Sequence, residues 1–314
     1  MGKKQTKARW LDRALYHILS RLFLLLGRIS PQRAAKIGDV IGRLWFALDK
    51  RHRKVAIDNL AMVYGDRMSS AAMRGFARQV FCNLARIVFE IGWSLHIDNV
   101  RNQKHFRFYG MHHLRSAQKK GKGVLVLTAH LGNWEFLLVA AAIMNMKFSA
   151  VYRPLDFKPL DMFFEDIRNT TGTKLHQKKG AMFKVLRSLA NNEGVGILLD
   201  QKTKPSSGVL VDFLGRPAYT NMGLAILAKR SRAPVIPVFA VREDGCYSVR
   251  ILPEVPFIDT GDDALDMIEN TRLYNRAIES MITQYPEQWF WLHRRWEIRP
   301  VKRKNTVTAK KTVS

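Results

Sequence analysis

The 314-residue sequence holds two cysteines, Cys82 and Cys246. They are too few and too far apart for a disulfide framework or a zinc site, which suits a reducing compartment. Acidic residues are also scarce: 26 Asp plus Glu stand against 52 Lys plus Arg, a formal net charge of +26. That imbalance points to anionic partners, whether nucleic acid, anionic lipid or an acidic protein. No charge-free apolar run reaches the roughly 18 residues of a clear membrane span. Nor do a basic n-region, an apolar h-region and a cleavage site occur in signal-peptide order, so the globular part of the chain is expected to face the cytoplasm. Gly-x-Ser-x-Gly, the Walker loop, Gly-x-Gly-x-x-Gly and zinc-ligand spacings are all missing, as are internal repeats. No nucleic-acid-binding motif accompanies the positive charge, which makes nucleic acid the weakest of the three partner classes.

The 47% apolar content over this length supports a sizeable core. From Trp10 to Ile29, Leu11, Ala14, Leu15, Ile18, Leu19, Leu22, Leu25 and Leu26 recur at helical spacing, with Arg13, His17, Arg21 and Arg28 on the other side. Residues 1–54 carry 14 Lys/Arg against Asp12, Asp39 and Asp49, a net of +11. An apolar face in basic surroundings predicts a helix over 1–30 that lies on an anionic membrane. The alternatives are a core-docked helix with a solvated basic face and a poorly hydrophobic inserted anchor. A second helical stretch runs from Pro31 to about Lys54 and a third from Ser69 to Trp93, so 31–100 reads as helical.

From about residue 101 the pattern changes. Phe106 opens a candidate first strand. Strands are predicted near 123–128, 147–152, 195–199, 234–241 and 246–252, and helices near 133–146, 158–170, 180–192, 221–231 and 264–284. The alternation predicts an α/β fold: a mixed central sheet with flanking helices over 101–300, preceded by the N-terminal helical region, with ligands at the strand ends. The basic tail 301–314 is expected to be disordered.

The chain organises itself around Val124–Glu135. An apolar strand ends at His130, Gly132 permits a turn, and Asn133 is a suitable N-cap for the following helix. On a continuous helix His130 and Glu135 would point about 140° apart, so they meet only if the chain turns between them. A histidine beside a carboxylate at a strand exit is a candidate general base with its orienting partner. A buried histidine followed by a capped helix is the alternative. Asp200, at the end of the apolar strand Val195–Leu199, is a second candidate carboxylate for the imidazole, or else a turn cap. Arg153 follows the next strand, and Pro154 holds it extended, where its guanidinium could grip a phosphate or an oxyanion. The closing segment Tyr285-Pro286-Glu287-Gln288-Trp289-Phe290-Trp291-Leu292-His293-Arg294-Arg295-Trp296 interleaves aromatic rings with paired arginines, which suits a membrane interface or a phosphorylated headgroup and could also stack on nucleobases.

The segment Ala129-His130-Leu131-Gly132-Asn133-Trp134-Glu135 resembles the His-x4-Asp/Glu motif of the glycerolipid acyltransferase superfamily, in the form found in the bacterial lipid A late acyltransferases. Arg153 resembles the superfamily's phosphate-binding arginine. Val211–Thr220 and the Pro234-Val235-Ile236-Pro237-Val238 block resemble further family segments. The C-terminal run resembles the family's Trp-x-His-x-Arg-Trp signature, with Glu297 standing where a basic residue is expected. The resemblance covers about residues 35–300, with its blocks in the family's order. It implies an acyltransferase that needs no cofactor or metal and acts at the cytoplasmic face of the inner membrane. Its donor would be an acyl thioester on acyl carrier protein, and its acceptor a hydroxyl of a lipid A precursor. His130 would serve as base, and Glu135 or Asp200 as its partner. Arg153, Arg216, His293, Arg294 and Arg295 would contact substrate, with backbone N–H groups near Asn133 as further anion donors. Another lipid acceptor, such as a lysophospholipid, an ornithine lipid or a glycolipid, remains the alternative.

Overall fold

The computed structural model describes residues 3–96 and 105–298, with side chains from Trp10 onward. The tail expected over 301–314 lies outside the described residues. Four helices come first: α1 (Lys3–Leu26), α2 (Pro31–Leu48), α3 (Lys50–Tyr64) and α4 (Ser70–Ser94). The sequence predicts one helix from Pro31 to Lys54, but the chain breaks at Asp49. The Asp49 side chain accepts the His52 backbone N–H at 3.0 Å, capping a new helix.

The remaining chain builds a seven-stranded sheet in the order β1 (Phe106–Tyr109), β9 (Cys246–Ile251), β8 (Val235–Glu243), β2 (Val124–Thr128), β5 (Gly194–Leu198), β3 (Phe148–Tyr152), β4 (Lys174–Gln177). The run from β8 to β4 is parallel throughout, β9 is antiparallel to β8, and β1 is parallel to β9. The mixed α/β architecture matches the sequence reading. β2 is apolar from Val124 to Leu127 because it is buried on both faces. Leu125 and Leu127 join the larger core with α4, α7 (Lys158–Thr170), α8 (Ala181–Ala190), α9 (Gly223–Ser231) and α10 (Asp263–Gln284), whereas Val124 and Val126 join α5 (Met111–Gln118) and α6 (Phe136–Ile143) on the other side.

Three strands do not appear in the sequence reading. Val211–Thr220 lies in a hairpin, β6 (Gly208–Phe213) with β7 (Arg216–Asn221), that leads into α9. Its turn places Leu214 at φ 50 and Gly215 at φ 72, the two left-handed positions of a tight hairpin loop; leucine in the first of them conceals the turn signal. β4 was also missed, since Lys174-Leu175-His176-Gln177 has a single aliphatic residue.

The N-terminal helices dock by close backbone approach. A Cβ on Gly42 of α2 would lie 2.4 Å from Cys82 Cα in α4. Beside this contact Arg86 grips Asp39 through Nε and Nη2, each at 2.8 Å. α1 packs on α4 and α7, with Phe23 stacked on Phe163 at 4.4 Å between ring centroids. Its other face exposes Trp10, Leu11, Ile18, Leu22 and Leu25, and α2 likewise exposes Ile37, Val40, Ile41, Leu44 and Leu48.

Gly42→Ala is expected to destabilise the protein by about 1–3 kcal/mol, because helix backbone, not a flexible side chain, blocks the new methyl. Gly75→Ala in α4, where no atom lies within 4 Å of the added Cβ, should be neutral or stabilise by up to about 1 kcal/mol. Denaturant titration of the two variants checks both.

Candidate active site

The parallel strands deliver their C-terminal ends to one edge, and β2 and β5 are neighbours in register, Thr128 facing Leu198. Two residues beyond Thr128 comes His130, and two beyond Leu198 comes Asp200, so sheet pairing alone brings them together. His130 Nδ1 lies 2.8 Å from Asp200 Oδ1, and the His130 backbone N–H donates to Asp200 Oδ2 at 3.0 Å. The Trp289 indole N–H donates to the same oxygen at 2.8 Å. The Asp200 side chain is 2% exposed and that of His130 is 21% exposed.

Burial alone would raise the Asp200 carboxyl pKa. The facing imidazole, its hydrogen bond, the indole and the His130 amide outweigh that and hold it at about 2. An ionised carboxylate only accepts, so the proton between the pair sits on His130 Nδ1, and Nε2 is left with its lone pair. The Gln201 side-chain nitrogen, a donor, stands 3.4 Å from Nε2. Trp134 meets the imidazole edge-on at 4.9 Å between centroids, and Phe290 lies at 6.1 Å. The result is an imidazole oriented by a carboxylate, part-exposed and flanked by aromatic rings.

Glu135, the other candidate partner of the imidazole, is engaged elsewhere. Arg168 of α7 grips it through Nε at 3.1 Å and Nη2 at 2.7 Å, a two-pronged ion pair that is largely buried. The helix expected from Asn133 begins at Phe136 because Asn133 is used as a brace: its Oδ1 accepts the Glu135 N–H and its Nδ2 donates to Glu90. Most of the backbone N–H groups expected to hold an anion there are consumed inside the protein. Those of Gly132, Asn133 and Phe136 donate to carbonyls of Gln288, Ala240 and Asn133.

The remaining predicted site residues scatter. Arg153 stands at the exit of β3 as expected, in solvent, 3.3 Å from Asp156. Arg216 donates to the Met62 carbonyl and ties β7 to α3. Arg294 is exposed and pairs with Glu297, which also holds Lys202, so the acidic residue neutralises two cations beside the site. Arg295 is not placed for substrate contact: it is 1% exposed, donates to the Tyr219 carbonyl and Thr220 Oγ1, and lies over the Phe213 ring. The aromatic segment read as interfacial is largely core, with Trp289, Trp291 and Trp296 buried and only Phe290 part-exposed. The chain needs these rings inside, because they close the apolar core behind Asp200.

His293 sits in the same neighbourhood, with Asp200, His130, Lys202 and Arg295 all acting on it. Burial chiefly, and then the cations, push its pKa down to about 4 against the opposing pull of Asp200, so it is a neutral imidazole near pH 7. Missed from sequence were Trp289 as a donor to the carboxylate and Arg168 as the partner of Glu135. Trp289 lay in a segment already singled out, but only the fold turns its indole inward. Nothing in the sequence ties Arg168 to a residue 33 positions earlier.

The family model for bacterial lipid A biosynthesis acyltransferases matches residues 1–298. The chain belongs to that family. A Haemophilus influenzae lipid A biosynthesis acyltransferase is 27% identical over 281 residues, 87% of this chain and 85% of that protein. An Escherichia coli lipid A biosynthesis lauroyltransferase is 27% identical over 275 residues, covering 84% and 85%. A Mycolicibacterium smegmatis phosphatidylinositol mannoside acyltransferase is 26% identical over 260 residues, covering 74% and 84%. The lipid A acyltransferase family member described here is thus an acyltransferase with a lipid acceptor, from a family that acts at the inner membrane. Among the described residues no helix is long and apolar enough to cross a membrane.

The depressed His293 pKa has a sign that can be tested. The unfolded imidazole, at its ordinary 6.5, takes up a proton before the folded one does at about 4, so this residue's contribution to stability is present above 6.5 and lost as pH falls towards 4. The denaturation midpoint should drop across that window, and His293→Asn should flatten the drop.

Proposed function

We propose that this acyltransferase moves a fatty acyl chain from an acyl carrier protein thioester to a hydroxyl of a lipid A precursor, with His130 as general base. The observation that carries the proposal is the Asp200 carboxylate on His130 Nδ1, which leaves Nε2 as the basic atom of a part-exposed ring. Nε2 removes the acceptor hydroxyl's proton as its oxygen attacks the thioester carbonyl. The tetrahedral intermediate collapses, the C–S bond breaks, and the imidazolium returns its proton to the departing thiolate. Transfer is direct: Cys82 is buried in α4, and Cys246 opens β9, two strands away from the β2 that delivers His130. Asp200 fixes the tautomer and stabilises the imidazolium, as the carboxylate does in serine-hydrolase triads. Glu135 acts at one remove, by locking α7 to the turn that carries His130. Arg153, exposed at the neighbouring strand exit, is the cation available to an acceptor phosphate.

Membrane contact falls to the exposed apolar faces of α1 and α2. The α2 stripe is flanked by exposed Arg33, Lys36 and Arg43, which suits an anionic lipid surface. A second reading, transfer to a different glycolipid, draws on the mycobacterial relative, whose named acceptor is a phosphatidylinositol mannoside.

Mass spectrometry of a tetra-acylated lipid A precursor incubated with acyl carrier protein thioester and membranes bearing the protein should show one added acyl chain. Asp200→Asn should cut kcat by about 10²–10⁴ at an unchanged melting temperature, because the amide places N–H groups where Nδ1–H pointed and inverts the tautomer. Glu135→Ala should lower melting temperature and activity together, since it strands Arg168. Full activity in Asp200→Asn would end the base assignment. Acylation of another lipid but not this one would leave the chemistry and overturn the acceptor.

A further inference from the structure

Between Asp166 and Glu193 the sequence holds no acidic residue and six cations. Two of them are neutralised, Arg168 by Glu135 and Lys174 by Glu193. The other four, Lys178, Lys179, Lys184 and Arg187, are exposed and have no ion-pair partner among the described residues. In their midst Phe183 is 82% exposed, more than any other large apolar side chain described. A bare phenyl ring on a helix that buries Val185 and Leu189 correctly gains nothing from folding and costs solubility.

Position gives the patch its meaning. Gln177 ends β4 opposite Tyr152 of β3, and the Lys178 N–H donates to the Tyr152 carbonyl at 2.8 Å. α8 therefore starts at the same sheet edge that presents His130, Asp200 and Arg153. From β2 to β4 is three strand spacings, so this corner lies roughly 14 Å across the edge from the base. We propose that Lys178, Lys179, Phe183, Lys184 and Arg187 are the docking surface for the acidic protein that carries the acyl thioester. The inference rests on the donor assigned under Proposed function. A single aromatic anchor ringed by cations has the anatomy of a protein hot spot steered by charge. A bilayer is better served by the continuous apolar stripes of α1 and α2. A carrier seated on α8 would bring its tethered thioester along the sheet edge to His130.

The test compares two donors at saturating acceptor: acyl chain on acyl carrier protein, and the same chain on pantetheine, which has no protein to dock. With the triple variant Lys178→Glu, Lys179→Glu, Lys184→Glu, and separately with Phe183→Ala, KM for the carrier thioester should rise at least tenfold. Transfer from acyl-pantetheine should stay within twofold of the native rate, which also reports intact folding, as should sedimentation with anionic phospholipid vesicles. Unchanged KM for the carrier in both variants overturns the docking surface and leaves the donor assignment standing. Loss of vesicle binding without a change in carrier KM assigns the patch to the membrane and overturns it equally. A native protein that uses acyl-pantetheine but never the carrier thioester overturns the donor assignment, and this inference with it.

Discussion

One buried carboxylate sets the terms for the rest of the site. Asp200 is ionised in a place where burial opposes charge, and only three donors make that tolerable: the His130 ring, the His130 amide and the Trp289 indole. Hydrogen bonds to a charged acceptor contribute about 1.5–3 kcal/mol each, comparable to the several kcal/mol that burying the ion costs. Each donor must therefore be held in place, and the surrounding fold does this. β2 and β5 fix the ring and the carboxylate by pairing in register. The C-terminal segment is folded back so that Phe290 donates to the His130 carbonyl and Leu131 bridges to Trp289.

A second buried ion pair braces the turn from below. Arg242 of β8 and Glu90 of α4 pair in the interior, and Asn133 donates to the same glutamate. Gln288 clamps the Arg242 backbone through both its side-chain amide atoms, while its own carbonyl accepts the Gly132 N–H. The left-handed Gly132 lies so close to β8 that an added Cβ would meet the Ala240 carbonyl oxygen at 2.1 Å. The His130 turn is thus pinned by α4, β8 and the C-terminal segment, and by α7 through Arg168 and Glu135. Preorganisation of this kind is what a base acting on a positioned hydroxyl requires.

How much of this the sequence displayed follows from range. The α/β alternation, β2 and the strand-end position of His130 were legible because each is set by residues within a few positions of one another. The choice between Glu135 and Asp200 was not, since it depends on which strand neighbours β2, and β5 lies some 70 positions later in the chain. Arg295 and the closing tryptophans were misread for a related reason. Aromatic and cationic residues in alternation look alike whether they meet a headgroup or close a core, and only the partners, Thr220 and Phe213 for Arg295, tell the two apart. The hairpin at Leu214-Gly215 escaped because a leucine occupies a left-handed turn position that asparagine or glycine would have advertised.

The proposed chemistry depends on the state of one ring. Nitrogen-15 NMR of the histidine-labelled protein near neutral pH, with the His130 signals assigned by their loss in His130→Gln, reads it directly. The structure predicts a proton on Nδ1 and a bare Nε2, exchanging to the opposite tautomer in Asp200→Asn. A native His130 protonated on Nε2 alone would contradict the assignment of His130 as the base that Asp200 orients.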